Sequence, residues 1–116
     1  MKVIVTRAHR SSYPEPVSFA EGDRIRVGRE DTEFPGWVWI TDSTDREGWA
    51  PLDYLQINNT DGEAIALANY DATELNTVEG EELHVHQELN QWYRAENARG
   101  GCGWVPVNTT VPRQDK

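Results

Sequence analysis

The sequence predicts an all-β protein made of two small units, and three observations carry that expectation. A short phrase occurs twice, as Gly48-Trp49-Ala50-Pro51 and Gly103-Trp104-Val105-Pro106. Each is preceded by a tryptophan twelve positions before its own, Trp37 and Trp92, so both landmarks recur at an offset of 55 residues. Apolar and polar residues alternate with period two along several short stretches, as they do on half-buried strands. Finally, no window of about 11 residues carries a helical stripe. The best candidate, Asp71 to Glu82, is interrupted by Thr73, Asn76, Thr77, Val78 and Gly80 and reads as loop and strand.

In chain order, Met1 to Thr6 is an apolar run far shorter than a secretory segment, and Arg7 and Arg10 follow it. Arg24-Ile25-Arg26-Val27 alternates after the turn signal Gly22-Asp23. Trp37-Val38-Trp39-Ile40-Thr41 does so after Pro35-Gly36, with Val38 and Ile40 on the opposite face from Trp37 and Trp39. A closing strand is expected at Tyr54-Leu55-Gln56-Ile57 and a fresh opening strand at Ala64-Ile65-Ala66-Leu67. The polar segment between them, Asn58-Asn59-Thr60-Asp61-Gly62, is rich in turn formers. Glu82-Leu83-His84-Val85-His86 and Trp92-Tyr93-Arg94-Ala95-Glu96 repeat the alternation in the second copy, bounded by Gly80 and Gly100-Gly101. The expected organisation is therefore a first copy over 1–57, a linker over 58–62, a second copy over 63–112 and a tail over 113–116. Units this small favour compact arrangements of about five strands, with aromatic side chains anchoring marginal cores.

The chain is acidic, with a formal net charge of −9. Residues 1–57 carry seven Lys/Arg and ten Asp/Glu, and residues 58–116 carry four and ten. No basic stripe is available for a phosphate backbone or an anionic bilayer, which argues against nucleic-acid and membrane partners and leaves a basic peptide as the sharper reading of the acidity. Cys102 stands alone, so no internal disulfide is possible, and no stretch approaches the roughly 20 apolar residues of a membrane span. A reducing, cytoplasmic setting is the expectation.

Catalytic chemistry finds no support. Phosphate-loop, dinucleotide, nucleophile-elbow and H-E-x-x-H patterns are absent, Cys102 has no Cys-His signature beside it, and the carboxylate pairs Glu30-Asp31 and Glu81-Glu82 fall in expected loops and strand edges. His84 and His86 leave one face of a strand, but two ligands without a third make a solvated face the better account than a metal site. Neither enzyme activity nor a cofactor is expected.

Several of these motifs together resemble the Src homology 3 (SH3) family, in tandem. Ala66-Leu67-Ala68-Asn69-Tyr70-Asp71-Ala72 is similar to the opening ALYDY motif, Gly80-Glu81-Glu82-Leu83 to the strand start after the RT loop, and Trp92-Tyr93 to the tryptophan pair. Gly103-Trp104-Val105-Pro106-Val107-Asn108 is similar to the closing G-[YW]-x-P-S-N-Y. The first copy shows Phe19-Ala20-Glu21-Gly22-Asp23, then Trp37, then Gly48-Trp49-Ala50-Pro51-Leu52-Asp53-Tyr54. The arrangement is also similar to poorly characterised tandem SH3-like proteins of prokaryotes. Departures are specific: Arg7 and His9 stand where the first copy's opening tyrosines belong, the stretch from Ala72 to Gly80 is about three residues short for an RT loop, and Thr109 replaces the closing tyrosine.

The resemblance implies two five-stranded SH3-like barrels in tandem and a non-catalytic module that binds protein or peptide, with proline-rich or basic segments as the expected ligand. It assigns Trp37, Trp49, Pro51 and Tyr54 to a groove in the first copy, rimmed by Tyr13, Glu30, Asp31 and Glu33. Tyr70, Trp92, Trp104, Pro106 and Asn108 go to a groove in the second copy. Proline rings pack on aromatic ridges with little entropy loss, and carboxylates beside the ridge pair with a flanking cation. Trp37 and Trp92 are expected to stand outward, because Val38, Ile40, Tyr93 and Ala95 take the inward face. The alternatives are that the aromatics form a seam in a structural or oligomerising unit, or that the chain binds cell-wall peptides.

Overall fold

The computed structural model describes residues 1–11, 15–58 and 62–113. It is all-β: among the described residues there are strands and two single-turn 3-10 helices, with no α-helix and hence no helix long and apolar enough to cross a membrane.

The chain divides into two compact units, and these are not the two sequence copies. Unit 2 comprises Tyr13–Ala72, and unit 1 comprises Met1–Ser12 together with Thr73–Lys116. The expectation of domains at 1–57 and 63–112 therefore changes. The physical reason is the pairing of the two opening strands.

In unit 1, β1 (Lys2–Val5) lies between β9 (Glu82–Leu89) and β12 (Thr110–Pro112). Val3 stands opposite Leu83 on one side and Pro112 on the other. β10 (Trp92–Glu96) and β11 (Cys102–Pro106) complete the antiparallel sheet in the order β11-β10-β9-β1-β12. Val3 and Val5 are buried with Leu75, Leu83, Val85, Tyr93, Ala95 and Val105 as a single core, each large apolar side chain contributing about 1.5–3 kcal/mol when fully buried. Burial, with a smaller contribution from the carboxylate of Glu88 across the β9/β10 ladder, raises the Tyr93 hydroxyl above its usual range.

In unit 2, β3 (Arg24–Glu30), β4 (Trp37–Thr41), β5 (Glu47–Pro51) and β6 (Leu55–Asn58) come from the first sequence copy. The strand that fills the gap is β7 (Glu63–Ala66), giving the order β5-β4-β3-β7-β6. β6 and β7 form an antiparallel hairpin with Asn58 opposite Glu63, so the expected linker at 58–62 connects two neighbouring strands of one sheet; Asn59, Thr60 and Asp61 lie outside the described residues. Val17, Ile25, Val38, Ile40, Ala50, Leu55, Ala64 and Ala66 are buried in this unit.

Unit 2 thus carries its opening strand last, in circularly permuted order, and interrupts unit 1 between residues 12 and 73. Both ends of the insert are tied together. β2 (Ser18–Phe19) pairs with β8 (Tyr70–Asp71), and the Ala72 N–H donates to the Val17 carbonyl at 2.9 Å. On the other side of the junction, within unit 1, His9 and Thr77 exchange backbone hydrogen bonds of 3.2 and 2.9 Å. Insertions are tolerated where the ends of the inserted domain lie close together. The same reasoning explains why the stretch from Ala72 to Gly80 is short for an RT loop: it supplies only one arm, and residues 6–11 supply the other.

Equivalent hairpins in the two units are closed by equivalent side chains. Asp42 Oδ1 accepts from the N–H groups of Thr44 (2.9 Å) and Arg46 (3.1 Å) and from the Thr44 hydroxyl (2.8 Å), and Oδ2 accepts from the Ser18 N–H at 3.2 Å. Asn97 Oδ1 accepts from Arg99 (3.0 Å) and Gly101 (2.9 Å) in unit 1. Burial pushes the Asp42 carboxyl up, but the four donated bonds together outweigh it and leave the group below its ordinary range. With the folded value depressed, this stabilisation is complete above the unfolded value of 3.8 and disappears as pH falls through the folded one. Asp42→Asn is expected to lower the stability of unit 2 by about 1–3 kcal/mol at neutral pH and to flatten the acid limb of its stability-pH curve. Urea unfolding at a series of pH values from 7 down to 2 checks both; an unchanged acid limb would remove Asp42 from the account.

Candidate functional site

The main aromatic cluster lies in unit 2 and draws on both sequence copies. Tyr70, on β8, packs against Trp37 at the start of β4 (ring centroids 6.5 Å apart), against Tyr54 in the 3-10 turn Leu52–Tyr54 (6.0 Å, edge-on), and against Phe19 on β2 (5.4 Å). Its hydroxyl reaches the Trp49 carbonyl at 3.4 Å. Pro51 stands opposite Trp37 in the β4/β5 ladder and is fully buried. The local causes are ordinary strand geometry: Trp37, Trp39 and Thr41 alternate onto one face of β4, and Glu47, Trp49 and Pro51 match them across the hairpin.

Two expectations are corrected here. Tyr70 does not join Trp92; it completes the set around Trp37, because β7 and the segment after it belong to unit 2. Nor does Trp37 stand outward as a ledge: its residue is 5% exposed and Tyr70 7%. Alternation rightly assigns Val38 and Ile40 to the core, but it does not predict that the other face of β4 is covered too. The accessible part of the cluster is half-buried Tyr54 together with half-buried Trp49. Of the expected acidic rim, Glu30 and Glu33 are exposed, whereas Asp31 Oδ1 accepts from the backbone N–H groups of Glu33 (2.8 Å) and Phe34 (3.2 Å) and shapes its own loop. Tyr13 lies outside the described residues.

A smaller counterpart stands in unit 1. Trp92 is half-buried and meets the His9 ring edge-on at 5.7 Å, and His9 Nε2 lies 2.7 Å from Glu74 Oε1. The histidine that replaces the opening tyrosine in sequence therefore does occupy an aromatic position, beside Trp92. Pro106, opposite Trp92 in the β10/β11 ladder, is half-buried, and Asn108 is exposed. Trp104 is 4% exposed, with the Arg94 guanidinium 5.8 Å from its ring, so it is a packing residue rather than a contact surface. His84 and His86 stack at 4.9 Å on exposed β9, with His86 Nε2 3.1 Å from Glu96 Oε1. Among the described residues no group of three or more His, Cys, Asp and Glu has metal-holding geometry.

Regrouped by unit, the charge is uneven. Residues 13–72 hold four Arg and thirteen Asp/Glu, net −9, while residues 1–12 and 73–116 hold seven Lys/Arg and seven Asp/Glu, net zero. The whole excess lies in the unit with the fuller aromatic set, and the division by sequence copy conceals this.

Comparison with family models decides what this arrangement is. A model described as variant SH3 domain matches residues 2–58, and one described as SH3 domain matches residues 65–107. The chain belongs to the SH3 family, with two SH3-type matches in tandem along its sequence. Neither the curated proteins nor the solved structures gave a match. SH3 domains are non-catalytic protein-interaction modules. In SH3 terms, the opening motif at 66–72 serves the tryptophan and closing motif of the other sequence copy, and the opening strand of the first copy serves the second.

Proposed function

We propose that the chain is a non-catalytic binding module whose main site is the composite cluster of unit 2, and that it takes an extended, proline-bearing peptide flanked by basic residues. The observation that carries this reading is the meeting of Tyr70 with Trp37 and Tyr54, with Pro51 opposite Trp37 in the ladder, an aromatic set that neither sequence copy holds alone. Proline rings would meet the accessible edge of Tyr54, and the net −9 of unit 2 would draw the cationic flank, with exposed Glu30 and Glu33 as partners. So small a surface is expected to bind weakly. A cytoplasmic setting is part of the proposal, argued from the solitary Cys102.

The burial of Trp37 favours a second reading, in which the cluster is a closed structural element. The full-length chain titrated with a proline-rich peptide ending in two arginines, followed by two-dimensional NMR, separates them. Binding should move the Trp37 indole and Tyr54 signals, and Tyr54→Ala should weaken it about tenfold, as loss of an interface aromatic does. If no peptide of a varied proline-rich panel moves these signals, the structural reading stands instead.

A further inference from the structure

One rung beyond Trp37 and Pro51, on the same face of the β4/β5 hairpin, Trp39 and Trp49 stand directly opposite each other with rings nearly perpendicular at 5.1 Å. Both are half-buried. The Arg29 guanidinium sits over both at once, 5.5 Å from the Trp39 ring and 5.4 Å from the Trp49 ring. Glu47 Oε1 accepts the Trp39 indole N–H at 3.1 Å and brings a carboxylate to the same edge. Gly28 lies close against Trp39: a Cβ there would stand 3.3 Å from the Trp39 carbonyl oxygen and 3.6 Å from its Cδ1. The β3/β4 register shifts between Val27 and Glu30, which is where Arg29 leaves the ladder to reach the rings.

We propose that the Trp39–Trp49 notch is a guanidinium-binding subsite for an arginine of a basic partner, and that Arg29 occupies it in the unbound chain. The two rings already hold this chemical group, the guanidinium of Arg29. At an exposed site the two cation-π contacts are weak, so an incoming guanidinium can exchange with Arg29 rather than having to unfold anything. The displaced Arg29 lies beside exposed Glu30, and the surrounding unit has carboxylates in excess to compensate either cation. The notch lies along the same sheet face as the composite cluster, so one extended ligand could use both. The proposal therefore rests on and extends the binding function above; it shares Trp49 with that cluster, but Arg29 and Trp39 decide it and lie outside it.

The test uses the full-length chain and a tetra-arginine peptide, with the tetra-citrulline peptide as its neutral isostere, read on the indole N–H signals of Trp39 and Trp49. The arginine peptide is expected to shift both signals and the citrulline peptide neither. Arg29→Ala is expected to bind the arginine peptide about two- to fivefold more tightly, as release of a weak internal competitor predicts. Arg99→Ala, which makes the same charge change in unit 1, should leave affinity within experimental error, and Trp39→Ala should abolish the response. Tyr54→Ala should leave this response intact, so failure of the proline-binding reading and failure of the notch are distinguishable. Equal responses to both peptides, or an Arg29→Ala chain that loses thermal stability without gaining affinity, would overturn the proposal and leave Arg29 as a surface clamp.

Discussion

Val3→Asp is expected to unfold residues 73–113 and to leave residues 16–58 and 62–72 folded, although Val3 belongs by sequence to the first copy. Val3 is fully buried between Leu83 and Pro112, and an unpaired carboxylate there costs about 4 kcal/mol or more. A unit of this size is stable by only about 3–8 kcal/mol, so most of that margin is removed. The five tryptophans report the outcome directly. Trp92 and Trp104 should lose their dispersed indole signals, while Trp37, Trp39 and Trp49 keep theirs; Ala64→Asp, in the matching position of β7, should produce the reverse pattern. A fragment of residues 13–72 should likewise unfold cooperatively on its own. Were Val3→Asp to collapse the signals of Trp37, Trp39 and Trp49 instead, the assignment of opening strands to units would be wrong.

Gly103→Ala should cost unit 1 about 3 kcal/mol or more, the upper range for overpacking. A Cβ at Gly103 would stand 2.7 Å from the Leu75 nitrogen, 2.9 Å from the Glu74 carbonyl carbon and 3.0 Å from the Thr73 oxygen, all backbone atoms that cannot step aside alone. They are held by the bonds from the Trp104 N–H to Thr73 and from the Leu75 N–H to Trp104, each 3.0 Å, so relieving the clash breaks a strand contact. Gly48 is the equivalent residue of unit 2, yet a Cβ there meets only Val17 methyl groups at 3.3 and 3.4 Å, and a small rotation accommodates it. Gly48→Ala should therefore cost about 1 kcal/mol, at the mild end of overpacking. Chemical unfolding of the two variants side by side checks the contrast, and equal losses would show that the close approach at Gly103 is not what the repeated glycine is for.

Much of the local structure could be read from the sequence because period-two alternation is a property of each strand alone. β4 and β10 begin and end where Trp37–Thr41 and Trp92–Glu96 place them, and the expected strands at Arg24 and Glu82 are the starts of β3 and β9. Partner choice is different. β1 and β7 are both four residues long, with alternate residues buried, and either could fill the same slot in either sheet. Nothing in Lys2–Val5 says whether its ladder runs to Leu83 or to Ile25. Two irregularities did carry the information: the first copy lacks the opening tyrosine that the second copy has, and the second copy's RT segment is short. Each is a defect only if a copy must close upon itself. The site inherits the same difficulty, since Tyr70 meets Trp37 through the rearranged pairing. Arg29 was invisible for another reason: a register shift carries it to the Trp39 and Trp49 rings, and irregularities of this kind leave no periodic trace.

The nesting of one unit inside the other sets an order of assembly. As the chain leaves the ribosome, residues 2–5 emerge ahead of their partners and have no ladder until Glu82–Leu89 and Thr110–Pro112 follow, whereas everything that residues 13–72 require is present once Ala72 is out. Completion of the inner unit fixes Val17 beside Ala72, so the span between His9 and Thr77 contracts from sixty-odd flexible residues to about a dozen. By the logarithmic dependence of closure entropy on length, that contraction lowers the cost of closing the outer unit by about 1.5 kcal/mol. The insert thus acts as a template for its host, and a strand synthesised after it captures one synthesised before it.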